Sequence, residues 1–241
     1  MSDPTGAAGS APRRRNFHGR RQGRKLRAGR AALIETLLPQ LTVALPAEDG
    51  ALDPRSLFPR PAREVWVEIG FGAGEHLAWQ AGHHPDVGII GCEPYINGMS
   101  TLLAAVAGEG LDMVRLWADD ARPLLDRLPD GSISRIFLLF ADPWPKARHH
   151  GRRFIQDATV ADLARLLRDG GELRIATDDA PLLDWSLGHV RRNPAFAWTA
   201  QGPGDWRERT EDWPPTRYEQ KALHGRPYYL RFRRQPRVAA P

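Results

Sequence analysis

Only one cysteine, Cys92, stands among the 241 residues, so neither a disulfide framework nor a cysteine-built zinc site organises this chain. Cys92 closes the apolar stretch Val87–Cys92 and reads as a buried structural thiol. No apolar run approaches the roughly 20 residues that a membrane-spanning helix needs, which argues against a membrane partner. The first residues lack the apolar core of a signal peptide. A cytoplasmic location is therefore expected, although an Arg-rich, acid-poor start is also a property of organellar transit peptides. Lysine is scarce, supplying three of the 34 basic residues as Lys25, Lys146 and Lys221. Four of the eight histidines stand in adjacent pairs, His83-His84 and His149-His150, whose side chains diverge with no third ligand at helical spacing. No metal site is expected.

The charge that is present is unevenly placed. The net +5 divides into +8 over residues 1–30, with nine Arg or Lys against Asp3 alone, and −3 over the remainder. A basic arm of this kind is a common footprint of nucleic-acid binding. Its Arg13–Lys25 stretch interleaves Phe17 with arginines, a combination suited to phosphates and to a stacked base. With 41% hydrophobic residues the chain can bury one full core. The expected organisation is a disordered basic arm over 1–30, a helix and Pro-rich connector over 31–62 with the helix ending at Pro39, and one catalytic domain over 63–235.

The segment Val65-Trp66-Val67-Glu68-Ile69-Gly70-Phe71-Gly72-Ala73-Gly74-Glu75 organises that domain. It reads as a β-branched strand, a turn with glycines at alternate positions, and a helix N-terminus whose free N–H groups face a ligand. A dinucleotide fingerprint requires a third glycine where Glu75 stands, which disfavours a nicotinamide oxidoreductase. An acid two residues before Gly70 would repel pyrophosphate and suits a ligand with an ammonium group. S-adenosylmethionine, with an amino-acid end, a sulfonium and no phosphate, meets that requirement.

Beyond this point strands and helices alternate, as a doubly wound parallel sheet requires. Strands are expected at Val65–Ile69, Val87–Cys92, Met113–Trp117, Arg135–Phe140 and Glu172–Ala176, with two more near Phe196–Thr199 and Tyr228–Phe232. Acids stand at or after the carboxyl ends of the first five: Glu68, Glu93, Asp120, Asp142 and Asp178. Ligands of open α/β sheets bind in the crevice at those ends. Glu93 is placed to accept two ribose hydroxyls, Asp120 the adenine amino group with the Ala121 N–H alongside, and Glu68 the methionine amino group. Gly70, Gly72 and Gly74 line the cofactor turn.

The substrate end is Asp142-Pro143-Trp144-Pro145-Lys146-Ala147-Arg148-His149-His150-Gly151-Arg152-Arg153, an acid, an aromatic plate and four basic side chains at the crevice mouth. Stacking on Trp144 with phosphates on Lys146, Arg148, Arg152 and Arg153 is the physics of loop-RNA recognition. Guanine N7 carries a lone pair and no proton, so a site rich in acids and without an evident base agrees with its alkylation. Asp142 is assigned to the transfer site, with Asp178 and Glu219 as candidates for the guanine N1–H and N2–H₂ donors.

These motifs resemble the bacterial tRNA (guanine-N7-)-methyltransferase family over about residues 13–233. The resemblance rests on R-R-Q-G-R (Arg20–Arg24), E-I-G-F-G-x-G (Glu68–Gly74), D-P-W-P-K-x-R-H (Asp142–His149), Arg152-Arg153, Thr177-Asp178 and T-R-Y-E-Q-K (Thr216–Lys221). It implies an α/β, doubly wound, Rossmann-like seven-stranded class I fold dependent on S-adenosylmethionine. It also implies methyl transfer to N7 of a variable-loop guanosine in tRNA. Glu68, Glu93, Asp120 and Asp142 match its cofactor or catalytic positions, and Lys146, Asp178 and Thr216, Arg217, Tyr218 and Glu219 its substrate positions. The chain departs from the pattern at Gly151, where a basic residue is usual, and at Asp179-Ala180-Pro181. Two other readings stay open: a Rossmann methyltransferase with a different substrate, and a non-catalytic RNA-binding protein on this scaffold. A monomer and a homodimer are equally compatible with the sequence.

Overall fold

The structure is a computed structural model that describes residues 19–46, 50–221 and 225–237, without the side chains of Tyr218 and Lys221. Two short helices, α1 (Ala28–Thr36) and α2 (Leu38–Leu41), precede β1 (Glu64–Ile69) and α3 (Glu75–His83). Then follow β2 (Val87–Cys92), α4 (Ile96–Glu109), β3 (Val114–Trp117), α5 (Ala121–Leu125), β4 (Ile133–Leu139) and α6 (Asp157–Leu166). The chain continues through β5 (Leu167–Thr177), α7 (Ala180–Arg192), β6 (Phe196–Trp198), α8 (Gly204–Arg207), α9 (Arg217–Lys221) and β7 (Tyr228–Arg234).

One seven-stranded sheet runs in the order β3-β2-β1-β4-β5-β7-β6. The first five strands pair in parallel. β7 is antiparallel to both β5 and β6, so the expected parallel sheet is corrected to a mixed one. Side chains alternate along β1. Val65, Val67 and Ile69 enter a core with residues of α5, α6 and α7. Trp66 points to the opposite core, packed by α3 and α4 with Leu41 of α2. Strand order reverses between β1, which continues to β2, and β4, which continues to β5, so the loops after β1 and β4 diverge and leave a crevice.

Three local expectations are revised. Pro39 does not end a helix: α1 closes at Thr36, and Pro39 sits in the first turn of α2, where its missing N–H costs no hydrogen bond. β5 begins at Leu167 rather than Glu172, because Leu167 pairs with Ile133 and Glu172 with Arg135 across a bulge. Part of the arm expected to be disordered is instead docked. Ile96 N–H donates to the Arg21 carbonyl (3.0 Å), Gly23 N–H to Asn97 Oδ1 (2.7 Å), and Asn97 Nδ2 to the Arg24 carbonyl (2.7 Å). Arg21 reaches Asp119 at 2.6 Å. Residues 20–24 thus lie along the N-terminal end of α4; residues 1–18 of the arm lie outside the described residues.

The turn after β1 needs its glycines. Gly70, Gly72 and Gly74 have φ of 71°, 58° and 78°, the left-handed region that a Cβ disfavours. α4 presses on this turn, since a Cβ at Gly98 would fall 2.0 Å from the Gly72 carbonyl oxygen. Gly98→Ala is expected to destabilise the protein by about 1–3 kcal/mol through overpacking. Gly108→Ala in the same helix, with open space around its Cβ, is expected to be neutral or to stabilise by up to about 1 kcal/mol. Urea unfolding of the two variants checks the contrast.

Candidate functional site

A cavity of about 480 Å³ opens at the carboxyl ends of the strands. Gly70, Asp120, Ala121, Asp142 and Arg152 line it together with Trp144. Gly19 also reaches the wall, a contribution from the arm that sequence reasoning missed. So do Gln156 and Thr159 at the start of α6. Their Q-x-x-T spacing was a legible signal, for the two side chains form a reciprocal capping box. Gln156 Nε2 also donates to the carbonyls of His150 (2.8 Å) and Arg153 (3.2 Å), which buttresses the loop that carries Arg152.

Glu93 and Glu68 are buried beside the cavity and do not line it, although their chain neighbours Pro94 and Ile69 do. Glu93 Oε2 accepts the Gly72 N–H (2.8 Å) and Oε1 the Tyr95 N–H (2.8 Å). Burial pushes its carboxyl above the usual glutamate range; the two N–H groups oppose this, and the charges of Asp142 and Glu68 add to it. Each oxygen keeps a lone pair for a ligand. Glu68 Oε2 accepts from His76 Nδ1 at 2.7 Å. Asp120 is the N-cap of α5, accepting the Arg122 N–H (3.0 Å) and pairing with the Arg122 guanidinium (2.7 Å).

Asp142 is exposed at the cavity lip, and no side chain of the described residues hydrogen-bonds its carboxylate. The backbone around it is strained. Phe140 and Trp144 have φ of 52° and 44°, conformations that bulky residues rarely adopt and that concentrate at functional sites. Phe140 N–H is tied to the Ala176 carbonyl (2.8 Å). The Pro143 carbonyl accepts from Arg153 Nε (2.8 Å).

That last bond corrects an expectation. Arg153 is 3% exposed, with its guanidinium 4.8 Å from the Trp185 ring centre, and is a strut rather than a phosphate contact. Arg152 stands over Trp144 at 5.0 Å. Lys146 and Arg148 are exposed on the loop and do not line the cavity. Gly151 does, and a side chain there would meet open space.

The T-R-Y-E motif also has a structural duty. Thr216 Oγ1 accepts the Glu219 N–H (3.2 Å) while Glu219 Oε2 accepts the Thr216 N–H (3.3 Å), a capping box at the head of α9. Glu219 Oε1 accepts from Arg209 (3.0 Å) and from the Tyr229 hydroxyl. Burial and this carboxylate push the Tyr229 phenol up. Glu219 thus accepts three bonds within the fold and its side chain is 9% exposed, so a bracing role stands in place of the expected reading of the guanine edge. Arg217 N–H (2.6 Å) and Nε (3.0 Å) both contact Glu75, which pins α9 to the first turn of α3. The Tyr218 side chain lies outside the described residues. Asp178 is buried just past the end of β5.

A profile described as "Putative methyltransferase" matches residues 62–229. The tRNA (guanine-N(7)-)-methyltransferase of Rhodospirillum rubrum is 55% identical over 229 residues, 93% of this chain and 90% of that one. The enzyme of the same name from Paramagnetospirillum magneticum is 49% identical over 230 residues, 95% and 96% of the two chains. The chain belongs to the tRNA (guanine-N7-)-methyltransferase family. Among solved structures, the 16S rRNA methyltransferase KamB superposes with a TM-score of 0.53 at 14% identity, covering 76% of this chain and 91% of that one. That likeness shows the class I methyltransferase fold.

Methyltransferases of this family use S-adenosylmethionine, and the donor set here fits it. Two buried carboxylates with unused lone pairs, Glu68 and Glu93, and a turn of left-handed glycines suit a cationic ligand that carries ribose hydroxyls and an ammonium group. Among the described residues no cluster of three or more His, Cys, Asp or Glu could hold a metal ion, and no helix is long and apolar enough to cross a membrane.

Reassigning Arg153 yields a test. Arg153→Ala removes a charged hydrogen bond and a cation–π contact, and is expected to cost about 2–4 kcal/mol of stability. Arg148→Ala should leave stability unchanged within about 0.5 kcal/mol. Thermal melts of both variants distinguish the strut from the solvated charge.

Proposed function

We propose that this chain transfers the methyl group of S-adenosylmethionine to N7 of a guanosine in the variable loop of tRNA, giving 7-methylguanosine, in the cytoplasm. The observation that carries the reading is Asp142, an exposed carboxylate free of side-chain partners among the described residues. It stands between two strained residues on the wall of a cavity bordered by buried acids. Bound S-adenosylmethionine supplies an electrophilic methyl on a sulfonium. Glu93 accepts the ribose hydroxyls, Asp120 and the Ala121 N–H address the adenine edge, and Glu68 takes the amino group. The carboxylates also make the cavity attractive to a cation.

Guanine N7 has no proton to lose, so the chain supplies alignment and charge rather than a general base. Holding nucleophile and methyl in line contributes on the order of 7–11 kcal/mol. Asp142 stabilises the positive charge that methylation leaves on the purine. Trp144, with Arg152 over it, forms a plate for the base. Lys146, Arg148 and the arginines of the arm hold phosphates. Asp178 remains the candidate for the guanine N1–H and N2–H₂ donors.

Methyl transfer to unmodified tRNA tests the reading. Asp142→Asn keeps shape and deletes charge, and is expected to lower turnover by roughly 10²-fold, the scale of one preorganised electrostatic group, with tRNA affinity changed little. Turnover at the wild-type level with collapsed tRNA binding would make Asp142 an anchor instead.

The docked stretch of the arm gives two truncations different expected effects. Removing residues 1–18 deletes Arg13, Arg14 and Arg15 and should flatten the salt dependence of tRNA binding, with S-adenosylmethionine affinity unaltered. Removing residues 1–27 also deletes Gly19 from the cavity wall and Arg21 from Asp119, and should weaken the cofactor as well. Calorimetry with S-adenosylmethionine on the two truncations separates a tether from a wall.

A further inference from the structure

His76 and Glu68 are each 2% exposed. His76 occupies the second position of α3, directly beneath Glu68 in the hydrogen-bond chain, and its ring packs on Phe137 (4.6 Å between ring centres) and Trp213 (5.2 Å). Its Nδ1 lies 2.7 Å from Glu68 Oε2, and its Nε2 lies 3.1 Å from Gln80 Nε2. Gln80 Nε2 is also 2.8 Å from the Asp212 carbonyl oxygen.

The proton order in this chain is set by its far end. A carbonyl oxygen only accepts, so the Gln80 amide nitrogen must face Asp212; the reversed amide would set two acceptors against each other. Gln80 Oε1 is left buried without a partner among the described residues, and both bonds of the amide are made from its nitrogen. The second amide hydrogen then points to His76 Nε2. That nitrogen is the acceptor, the ring's single proton is on Nδ1, and Nδ1–H donates to Glu68. One carboxylate oxygen is thereby fixed, and no described residue hydrogen-bonds the other, Oε1.

We propose that His76, neutral and protonated on Nδ1, is a positioning residue that orients Glu68 toward the amino group of the methyl donor. Through Gln80 it joins that carboxylate to the Asp212 backbone. The proposal rests on the assignment of Glu68 to the cofactor site. Asp212 itself is anchored by Arg174 (2.8 Å) and Thr210 (2.6 Å), and Trp213 packs on His76. The chain segment leading to the T-R-Y-E capping box is thus built into the support of Glu68. In energetic terms the device is an oriented donor held in an aromatic enclosure, where a charged hydrogen bond keeps most of its strength.

The test is calorimetry of S-adenosylmethionine binding to the full chain and to Glu68→Gln, His76→Leu, His76→Asn and the double variant Glu68→Gln/His76→Leu, with melts to confirm folding. His76→Leu is expected to weaken binding by about 10–100-fold, the scale of one charged hydrogen bond, at unchanged KM for tRNA. The Asn side chain places an amide donor where Nδ1–H stood, and should restore affinity to within about threefold. If His76 acts through Glu68, the double variant binds no worse than Glu68→Gln alone. Additive losses, or a folded His76→Leu that binds like wild type, would overturn the proposal. A Glu68→Gln variant with wild-type affinity would instead overturn the placement of Glu68, and His76 with it. Should His76→Leu not fold, ¹⁵N spectra of the histidine side chains decide. A signal removed by His76→Asn must show a protonated Nδ1 and a bare Nε2; a protonated Nε2 contradicts the scheme.

Discussion

The pair of backbone N–H groups held by Glu93 is the constraint on which the crevice depends. One carboxylate bonds the Gly72 N–H of the glycine turn and the Tyr95 N–H ahead of α4. Helix and turn are so close that Gly98 has no room for a methyl group against the Gly72 carbonyl. Burying this acid costs free energy, as its raised proton affinity records, and the two N–H bonds offset part of that cost. The result is a turn held in left-handed backbone and an oriented carboxylate beside the cavity. Sheet topology supplies the space, because strand order reverses between β1 and β4.

Around that fixed point the chain spends polar residues on support. Arg153 holds the Pro143 carbonyl and Gln156 the carbonyls of His150 and Arg153, so the loop bearing Asp142 and Arg152 is braced from below. Arg174, Arg135, Glu172 and Asp212 form a half-buried ionic group on the other side. Burial alone would raise the Asp212 carboxyl, but Arg174 and Thr210 hold it well below the usual range. A network of this kind gives register more than net stability. It fixes the stretch from Thr210 to Glu219 against α3, where Glu75 receives Arg217.

Much of this was legible in the sequence. Hydrophobic period, glycine spacing and the acids at strand ends identified the five parallel strands and the end of the sheet at which the cavity opens. Pairing direction was not legible: Tyr228–Arg234 reads as a strand in either sense, and only its neighbours make it antiparallel. Residue type also hid the division of labour among polar side chains. Arg152 and Arg153 are adjacent and chemically identical, yet one lines the cavity and the other is 3% exposed, a difference of direction around one turn of backbone. Glu219 is similar, since T-x-x-E is both a motif of this family and a helix-capping pattern. The arm misled through composition, because its glycines and arginines gave no sign of the backbone bonds to Ile96 and Asn97. His76 is a lone histidine on a helix, and its role shows only where the fold sets Glu68, Gln80 and the distant Asp212 carbonyl in one hydrogen-bonded line.

The central claim is that the crevice delivers a methyl group to an unprotonated ring nitrogen of guanine, with carboxylates supplying charge and alignment. The most direct measurement uses a tRNA in which the variable-loop guanosine is replaced by 7-deazaguanosine, so that a C–H stands where N7 was. Labelled-methyl transfer and binding are then measured on both RNAs. The account predicts that the deaza RNA binds with nearly unchanged affinity and accepts no methyl group, whereas the natural guanosine becomes 7-methylguanosine. Undiminished transfer to the deaza RNA, or label on another base of the natural one, would contradict it.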